Sequence, residues 1–304
     1  MKGLKLTINR SIINPQPLNL KIIHPQSTTL NSDTIKSETH LNSTTELRYL
    51  AKINSHERDR KITFEEEGHK YTIEGLNKDP ISVTTLIHHN FPTFDADLVI
   101  SKMVKSRNWI NSKYYGKTPE EIKDEWKKSG EVASHLGTLM HADIERFLNK
   151  EDVLSPNTIE FSYFKSFWEE FQKTHPGFYP YRTEWLVYDE INGIAGSIDC
   201  VLTNTSGQLI ILDWKRSKEI KLSNTYEKGL GPFCHLDHCN FWHYSLQLNI
   251  YRHILETKYN KEILEMHIVV LHPDNDTYKM YTISPYDIAS IWDILSNKNY
   301  IKSH

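Results

Sequence analysis

The strongest constraint on how this chain folds is a pair of apolar runs, residues 194–202 and 209–214, separated by Asn204-Thr-Ser-Gly207. Both runs are rich in β-branched and aliphatic residues and the segment between them is turn chemistry, so two antiparallel strands joined by a short loop are expected. Charges interrupt the runs at Asp199, Asp213 and Lys215. Pairing symmetric about Ser206 sets Asp199 opposite Asp213, and strand alternation returns Lys215 to the face of Asp213 while Trp214 points the other way. A bulge at Gly207 would shift that register by one residue. Opposed carboxylates in an apolar hairpin repel each other, and a hard divalent cation with oxygen ligands relieves the repulsion. The competing account is a solvated surface pair, which a run such as Leu209-Ile-Ile-Leu212 does not favour.

At 304 residues, the chain is long enough for one large domain or two modest ones, and 38% hydrophobic with 25% charged residues suits a soluble globular protein. No stretch has the apolar length of a membrane span and the start lacks a secretory pattern, so no membrane contact is expected. An intracellular location follows, cytoplasm or nucleus (a viral source included), with the mitochondrial matrix as the alternative. Cys200, Cys234 and Cys239 are too few for a disulfide framework or a four-cysteine iron-sulfur cluster. The net charge of −3 gives no global sign of nucleic-acid binding, which would have to rest on a local basic track.

Residues 1–55 lack periodicity and are expected to be flexible or loosely attached, leaving 56–304 as a single domain. Residues 62–65 and 71–74 flank Glu67-Gly-His69 and read as a small hairpin. Residues 81–87 read as a strand end passing into a helix capped by Ser82 or Thr84, a terminus that either holds a phosphate or is capped for stability alone. Helical patterns follow over 95–108, 119–128 and 131–149, then over 159–173, where Phe161, Phe164, Phe167, Trp168 and Phe171 form a core stripe. A strand at 181–188 leads into the hairpin, a helix over 242–255 follows it, strands come at 263–272 and 278–283, and a helix over 287–295 closes the chain. This is an α/β layout, a mixed sheet flanked by helices.

Gly137, His141 and Glu145 recur every four residues and share one helix face. His141 is a candidate nitrogen ligand and Glu145 a candidate to orient its ring, although an isolated surface histidine fits the same pattern. Gln247 and Tyr251, one turn apart, suit either contact with a substrate phosphate or base, or an ordinary hydrogen-bonded pair. Residues 102–128 interleave lysines and arginine, among them Lys105 and Arg107, with aromatics such as Trp109 and Tyr115. That mixture suits a single nucleic-acid strand, tracked by charge while its bases stack, and equally an exposed amphipathic helix pair. Cys234-His235-Leu-Asp-His238-Cys239 carries zinc-ligand types, but the spacing is compressed and no second cluster supports it, so zinc is not expected there.

Taken together, Gly137-x-x-x-His141-x-x-x-Glu145, Gly196-x-x-Asp199, Asp213-x-Lys215 and Gln247-x-x-x-Tyr251 stand in the order found in the RecB-type branch of the PD-(D/E)XK nuclease superfamily. The chain resembles the stand-alone exonucleases of that branch, such as the mitochondrial genome maintenance exonuclease and its relatives in large DNA viruses, over roughly residues 60–285. Ile81-Ser-Val-Thr-Thr and Val270-Leu-His-Pro-Asp274 add to the likeness. The resemblance implies a restriction-endonuclease-like core with an N-terminal helical elaboration, in which residues 95–130 serve as an arch or DNA guide.

It also implies one or two Mg²⁺ or Mn²⁺ ions held by His141, Asp199, Asp213 and the backbone carbonyl of Trp214. Lys215 would position or activate the attacking water, Gln247 and Tyr251 would hold DNA near the metal, and Glu184, on the preceding strand, is a secondary candidate. The implied activity is a DNA exonuclease acting on single-stranded ends in replication, recombination or repair, alongside a separate helicase or replication proteins. Two other classes stay open: a non-catalytic nucleic-acid-binding or assembly subunit that keeps the fold, and an RNA endonuclease using the same site.

Overall fold

The computed structural model describes residues 48–295. Along the chain come α1 (Tyr49–Ile53), the hairpin β1 (Ile62–Glu65) and β2 (Lys70–Ile73), then β3 (Ile81–Ser82) running into α2 (Val83–His88). Next are α3 (Ala96–Val104), α4 (Pro119–Leu148) and α5 (Ile159–Thr174). The sheet strands β4 (Tyr179–Asp189), β5 (Ile194–Thr203) and β6 (Leu209–Lys215) precede α6 (Asn240–Lys258), and β7 (Ile263–Val270), β8 (Lys279–Thr282) and α7 (Trp292–Leu295) complete it. The fold is α/β with a mixed sheet between helices. No helix of the described residues is long and apolar enough to cross a membrane.

β5 is the hub of the sheet. Along one edge β4 pairs with it antiparallel, from Asp189 opposite Ile194 to Tyr179 opposite Thr203. The other edge is shared. β3 lies parallel at Ile194 and Ala195, and β6 lies antiparallel from Cys200 opposite Leu212 to Thr203 opposite Leu209. Residues 196–199 therefore have no strand beside them on that edge. Beyond β6, β7 pairs parallel and β8 antiparallel.

Alternation along β6 builds two cores from one strand. Ile210, Leu212 and Trp214 pack with Phe161, Phe164, Phe167 and Phe171 of α5 and with Met140, Ile144 and Leu148 of α4. Leu209 and Ile211 belong to the opposite layer, which α2 and α6 cover with Leu86, Leu246, Ile250 and Ile254. The aromatic stripe expected on 159–173 is thus core. Trp214 anchors it, with its ring edge-on to Phe164 at 5.5 Å and to Phe167 at 5.7 Å.

Three segments differ from the sequence expectation by more than shifts of a few residues at their ends. Residues 119–128 and 131–149 form one helix rather than two, because Gly130 costs only about 1 kcal/mol inside a helix that is firmly started by Pro119 and the Thr118–Glu121 capping box. Residues 49–53 are a docked helix rather than a loose tail: Leu50 is buried, its N–H donates to Asn149 Oδ1 at 3.0 Å, and Arg48 pairs with Glu145 at 3.1 Å. The rest of the expected tail, 1–47, lies outside the described residues. The expected closing helix over 287–295 is a 3-10 turn at Ala289–Ile291 followed by the short α7.

Residues 95–130 make a helical arm with contacts of its own. Lys123 pairs with Asp97 at 2.9 Å, and Trp126 Nε1 donates to the Tyr114 hydroxyl at 2.7 Å. Its buried Ile100 and Ile122 belong to neither main core. Phe94, Ile110 and Tyr115 stay exposed.

The two-core arrangement makes a stability prediction. Phe164→Ala should cost about 3–5 kcal/mol in urea unfolding, as expected for a buried ring in a packed layer, while Leu154→Ala, on an exposed side chain, should stay within about 0.5 kcal/mol. Equal costs would refute the layer assignment.

Candidate functional site

The site forms where β5 and β6 part. Their connecting turn closes with Gly207 N–H donating to Asn204 O at 3.0 Å, and Gly207 takes the left-handed φ of 80° that this loop requires. The glycine is absorbed within the loop, so the register stays symmetric. Continued one step past Cys200 and Leu212, it sets Asp199 opposite Asp213.

The ladder stops there because a side chain takes over from the backbone. Asp199 Oδ2 accepts the Trp214 N–H at 2.8 Å, and the Trp214 carbonyl accepts a hydrogen from His141 Nε2 at 3.0 Å. Both backbone polar groups of Trp214 are satisfied by side chains of candidate site residues rather than by the β5 backbone. Every buried backbone group needs such a partner, so the fork and the site residues hold each other in place.

Around that point His141, Glu184 and Asp199 present ligand atoms that all lie within 4.8 Å of one another. His141 Nδ1 stands 3.6 Å from Asp199 and 3.7 Å from Glu184. Glu184 interrupts β4 with a left-handed φ of 43°, between Thr183 opposite Cys200 and Trp185 opposite Ile198. A non-glycine residue held there stores roughly 1–3 kcal/mol of strain, a cost that clusters at functional sites. The Ser197 hydroxyl donates to its Oε2 at 2.7 Å.

Charge is tightly balanced in this pocket. Burial raises Asp199 to about 7, an effect that His141 only partly offsets. Burial pushes His141 down, but Asp199 and Glu184 outweigh it and lift the imidazole to about 9. Glu184 is held below the usual carboxylate range: burial opposes this, and the His141 and Ser197 contacts prevail. Lys215 Nζ lies 2.8 Å from Asp213 Oδ2 and 4.7 Å from the centre of the Tyr244 ring. Burial works against its charge, but Asp213 and Asp199 hold the ammonium above its ordinary value. Asp213 Oδ2 is buried and receives no aligned hydrogen bond despite that contact.

The expected residues separate into three groups. His141, Asp199, Asp213, Lys215 and the Trp214 carbonyl converge, and Glu184 joins the cluster as a full member rather than a secondary one. Asp213 turns toward Lys215 and stands outside the three-residue set. Glu145 does not orient the histidine. It is buried against Arg48, and burial, opposed by Arg48, raises it to about 7. Gln247 and Tyr251 are buried and bonded to each other at 3.3 Å, with the Tyr251 ring against Gly196. They support the β5 edge from beneath. Ser82 caps α2, accepting the Thr85 N–H at 3.0 Å, and Thr84 lies beside it. Lys105, Arg107, Trp109 and Tyr115 all lie on the arm, where Trp109 and Tyr115 pack edge to face at 6.0 Å. In the Cys/His run, His235 bonds Tyr286 and His238 bonds Glu227, so the two rings serve different partners.

Two tyrosines at the cluster gave no signal in the sequence. Tyr71 of β2 is pushed up to about 12, by burial first and then by Glu184. Tyr244, whose ring carries Lys215, is raised by burial. Each arrives from an element remote in sequence. Glu184 was more accessible to reasoning, because pairing 181–188 symmetrically with 194–202 sets it opposite Asp199.

No protein-family model matches the chain, and no curated protein sequence matches it. Among solved structures it aligns with SSO0001 at 20% identity and a TM-score of 0.25, over 50% of this chain; the chain spans only 63% of the length of SSO0001. It also aligns with a Eubacterium rectale chain described as a “Putative exonuclease”, at 13% identity and a TM-score of 0.31, over 73% of this chain and 80% of that one.

Two glycines of the site should respond oppositely to a methyl group. A Cβ at Gly196 would lie 2.7 Å from Tyr251 Cε1, whereas one at Gly137 meets nothing within 4 Å. Gly196→Ala should therefore destabilise by roughly 1–3 kcal/mol in denaturant titration. Gly137→Ala should stabilise by up to about 1 kcal/mol through helix propensity. A neutral Gly196→Ala would show that Tyr251 does not press on β5.

Proposed function

We propose that this chain is a metal-dependent nuclease of the PD-(D/E)XK type, RecB branch, that hydrolyses DNA from single-stranded ends. The observation that carries the reading is the convergence of His141, Glu184 and Asp199 at the fork, beside the Asp213–Lys215 pair. Carboxylate oxygens with one imidazole make a donor set suited to Mg²⁺ or Mn²⁺. Asp213, whose Oδ2 faces the Lys215 ammonium at 2.8 Å, adds negative charge beside that donor set. His141, Glu184 and Asp199 would hold the ion, with Asp213 and the Trp214 carbonyl beside them. Such an ion, when bound, polarises a phosphate and makes its bound water more acidic.

The residues of the chain then divide the remaining work. Lys215, kept protonated by its aspartates, is suited to stabilise charge that develops on a phosphate oxygen, and not to take up a proton. The Tyr244 ring and Asp213 fix the direction of its ammonium group. Beside it opens a cleft of about 440 Å³, lined by Arg216, which follows Lys215 directly, and by Lys128, Ser129, Val132, Ala133 and Leu136 of α4. Arg216 is paired with Glu160 at 2.8 Å, so the exposed Lys128 is the charge offered to a strand's backbone here, with Val132, Ala133 and Leu136 as hydrocarbon for its bases. The arm, with Lys105, Arg107, Trp109 and Tyr115, continues from the same helix and would guide the strand in.

Three measurements test this. With Mg²⁺, end-labelled linear single-stranded DNA should be degraded, covalently closed circles should survive, and EDTA should stop the reaction. Cleaved circles would refute the end requirement, and intact linear DNA would favour a binding role. Lys215→Ala should lower turnover by roughly 10²-fold or more while DNA affinity stays within a few-fold; retained turnover would make the lysine structural. Glu184→Gln should abolish Mn²⁺ binding in titration calorimetry and Glu145→Gln should not, and the reverse pattern would restore Glu145 to the site.

A further inference from the structure

A second convergence of ligand atoms lies at the other end of α5, away from the fork. His175, the C-terminal cap of α5, meets Glu265 and His267 of β7, and their ligand atoms also lie within 4.8 Å of one another. Glu265 Oε2 stands 2.8 Å from His267 Nε2 and 3.3 Å from His175 Nε2. Two ring nitrogens thus aim at one carboxylate oxygen.

The partners of the opposite ring nitrogens fix what the inward ones offer. His175 Nδ1 lies 3.2 Å from the Phe171 carbonyl, which can only accept, and 2.9 Å from Thr174 Oγ1, whose own hydroxyl proton goes to backbone carbonyls. The contact to that carbonyl suits a proton on Nδ1. In the neutral ring with that tautomer, Nε2 is a lone pair facing a carboxylate, a contact relieved either by a second ring proton or by a metal ion between them. His267 Nδ1 lies 3.1 Å from Thr282 Oγ1, a hydroxyl that orients the ring and serves either tautomer. Outer hydrogen bonds of this kind are what fix the tautomer and orientation of metal-binding imidazoles.

Packing fixes the rings as well. The His175 ring stacks on Phe171 at 4.0 Å with planes 9° apart, and Phe171 lies edge-on to His267 at 5.7 Å. Zinc with ligands at ~2.0–2.1 Å in a tetrahedron separates its ligand atoms by about 3.3 Å, which matches the 3.3 Å between His175 and Glu265, while the 2.8 Å between His267 and Glu265 would have to open as the ion enters. The geometry points to a Zn²⁺ site formed by His175 Nε2, His267 Nε2 and Glu265, distinct from the oxygen-rich cluster at the fork. Two imidazoles and one carboxylate favour zinc, where the fork favours magnesium or manganese. Its role is a clamp. It ties the end of the aromatic helix, whose stripe packs on Trp214, to the strand that pairs with β6. Glu265, a third exposed, leaves a path for the ion to enter.

The test uses full-length protein stripped with EDTA, in an Asp199→Asn background that disables the fork as a competing site. Zn²⁺ titrated against a chromophoric chelator should bind one equivalent, and Co²⁺ should give the visible spectrum of a four-coordinate site. Glu265→Gln and His175→Ala should each weaken zinc by more than about 100-fold, beyond what losing a mere supporting partner costs. Both should also remove the zinc-dependent rise in unfolding temperature. Glu265→Gln changes a partly exposed side chain, and circular dichroism checks that it folds; it decides the matter alone if His175→Ala does not fold. One equivalent still bound at unchanged affinity in Glu265→Gln, or no zinc uptake by the unsubstituted cluster at micromolar metal, overturns the proposal.

Discussion

The candidate site depends on one hydrogen bond, from the Trp214 N–H to the Asp199 carboxylate. It substitutes a side chain for a strand partner at the place where β5 and β6 separate. Without it Trp214 would present an unpaired buried N–H, and the most economical repair would be to extend the ladder and close the fork. The bond also uses one carboxylate oxygen and fixes its direction, which places Asp199 against His141. Trp214 itself cannot follow a shift, because its indole is locked between Phe164 and Phe167 on the far side of the sheet. Core packing and site geometry are therefore one problem, solved at a single residue.

Charge sets the second condition. Three carboxylates, Glu184, Asp199 and Asp213, meet one imidazole and one ammonium in a largely buried space. Burial raises Asp199, and the carboxylates hold positive charge on His141 and Lys215 against the burial of both. In this state a proton on His141 does part of what a cation would do. The strained Glu184 is consistent with a pocket kept ready at a cost to local stability.

Much of this was legible in the sequence, and the reasons differ by residue. The opposition of Asp199 and Asp213 followed from turn chemistry and strand alternation, both local rules. His141 was legible only through its place in a pattern, since a lone histidine on a helix face says little. Glu145 misled because Arg48, its partner, comes from a segment read as a loose tail. Gln247 and Tyr251 were visible as a pair but not as a buried one, which depends on Gly196 admitting the Tyr251 ring. The unbroken α4 was hidden by Gly130, where local propensity gave way to a well-capped helix. That continuity has a physical consequence: the helix bearing His141 is the one that forms the arm and lines the cleft. His175, Glu265 and His267 left no local signature, as only β7 packing beside α5 brings them together.

We propose that the fork holds a divalent cation on His141, Glu184 and Asp199, whose ligand atoms lie within 4.8 Å of one another. Its most direct test is an anomalous difference map from crystals grown with Mn²⁺. A peak is expected within bonding distance of those three side chains, next to the Asp199–Trp214 hydrogen bond. A map with no peak at the fork at millimolar Mn²⁺ would contradict it.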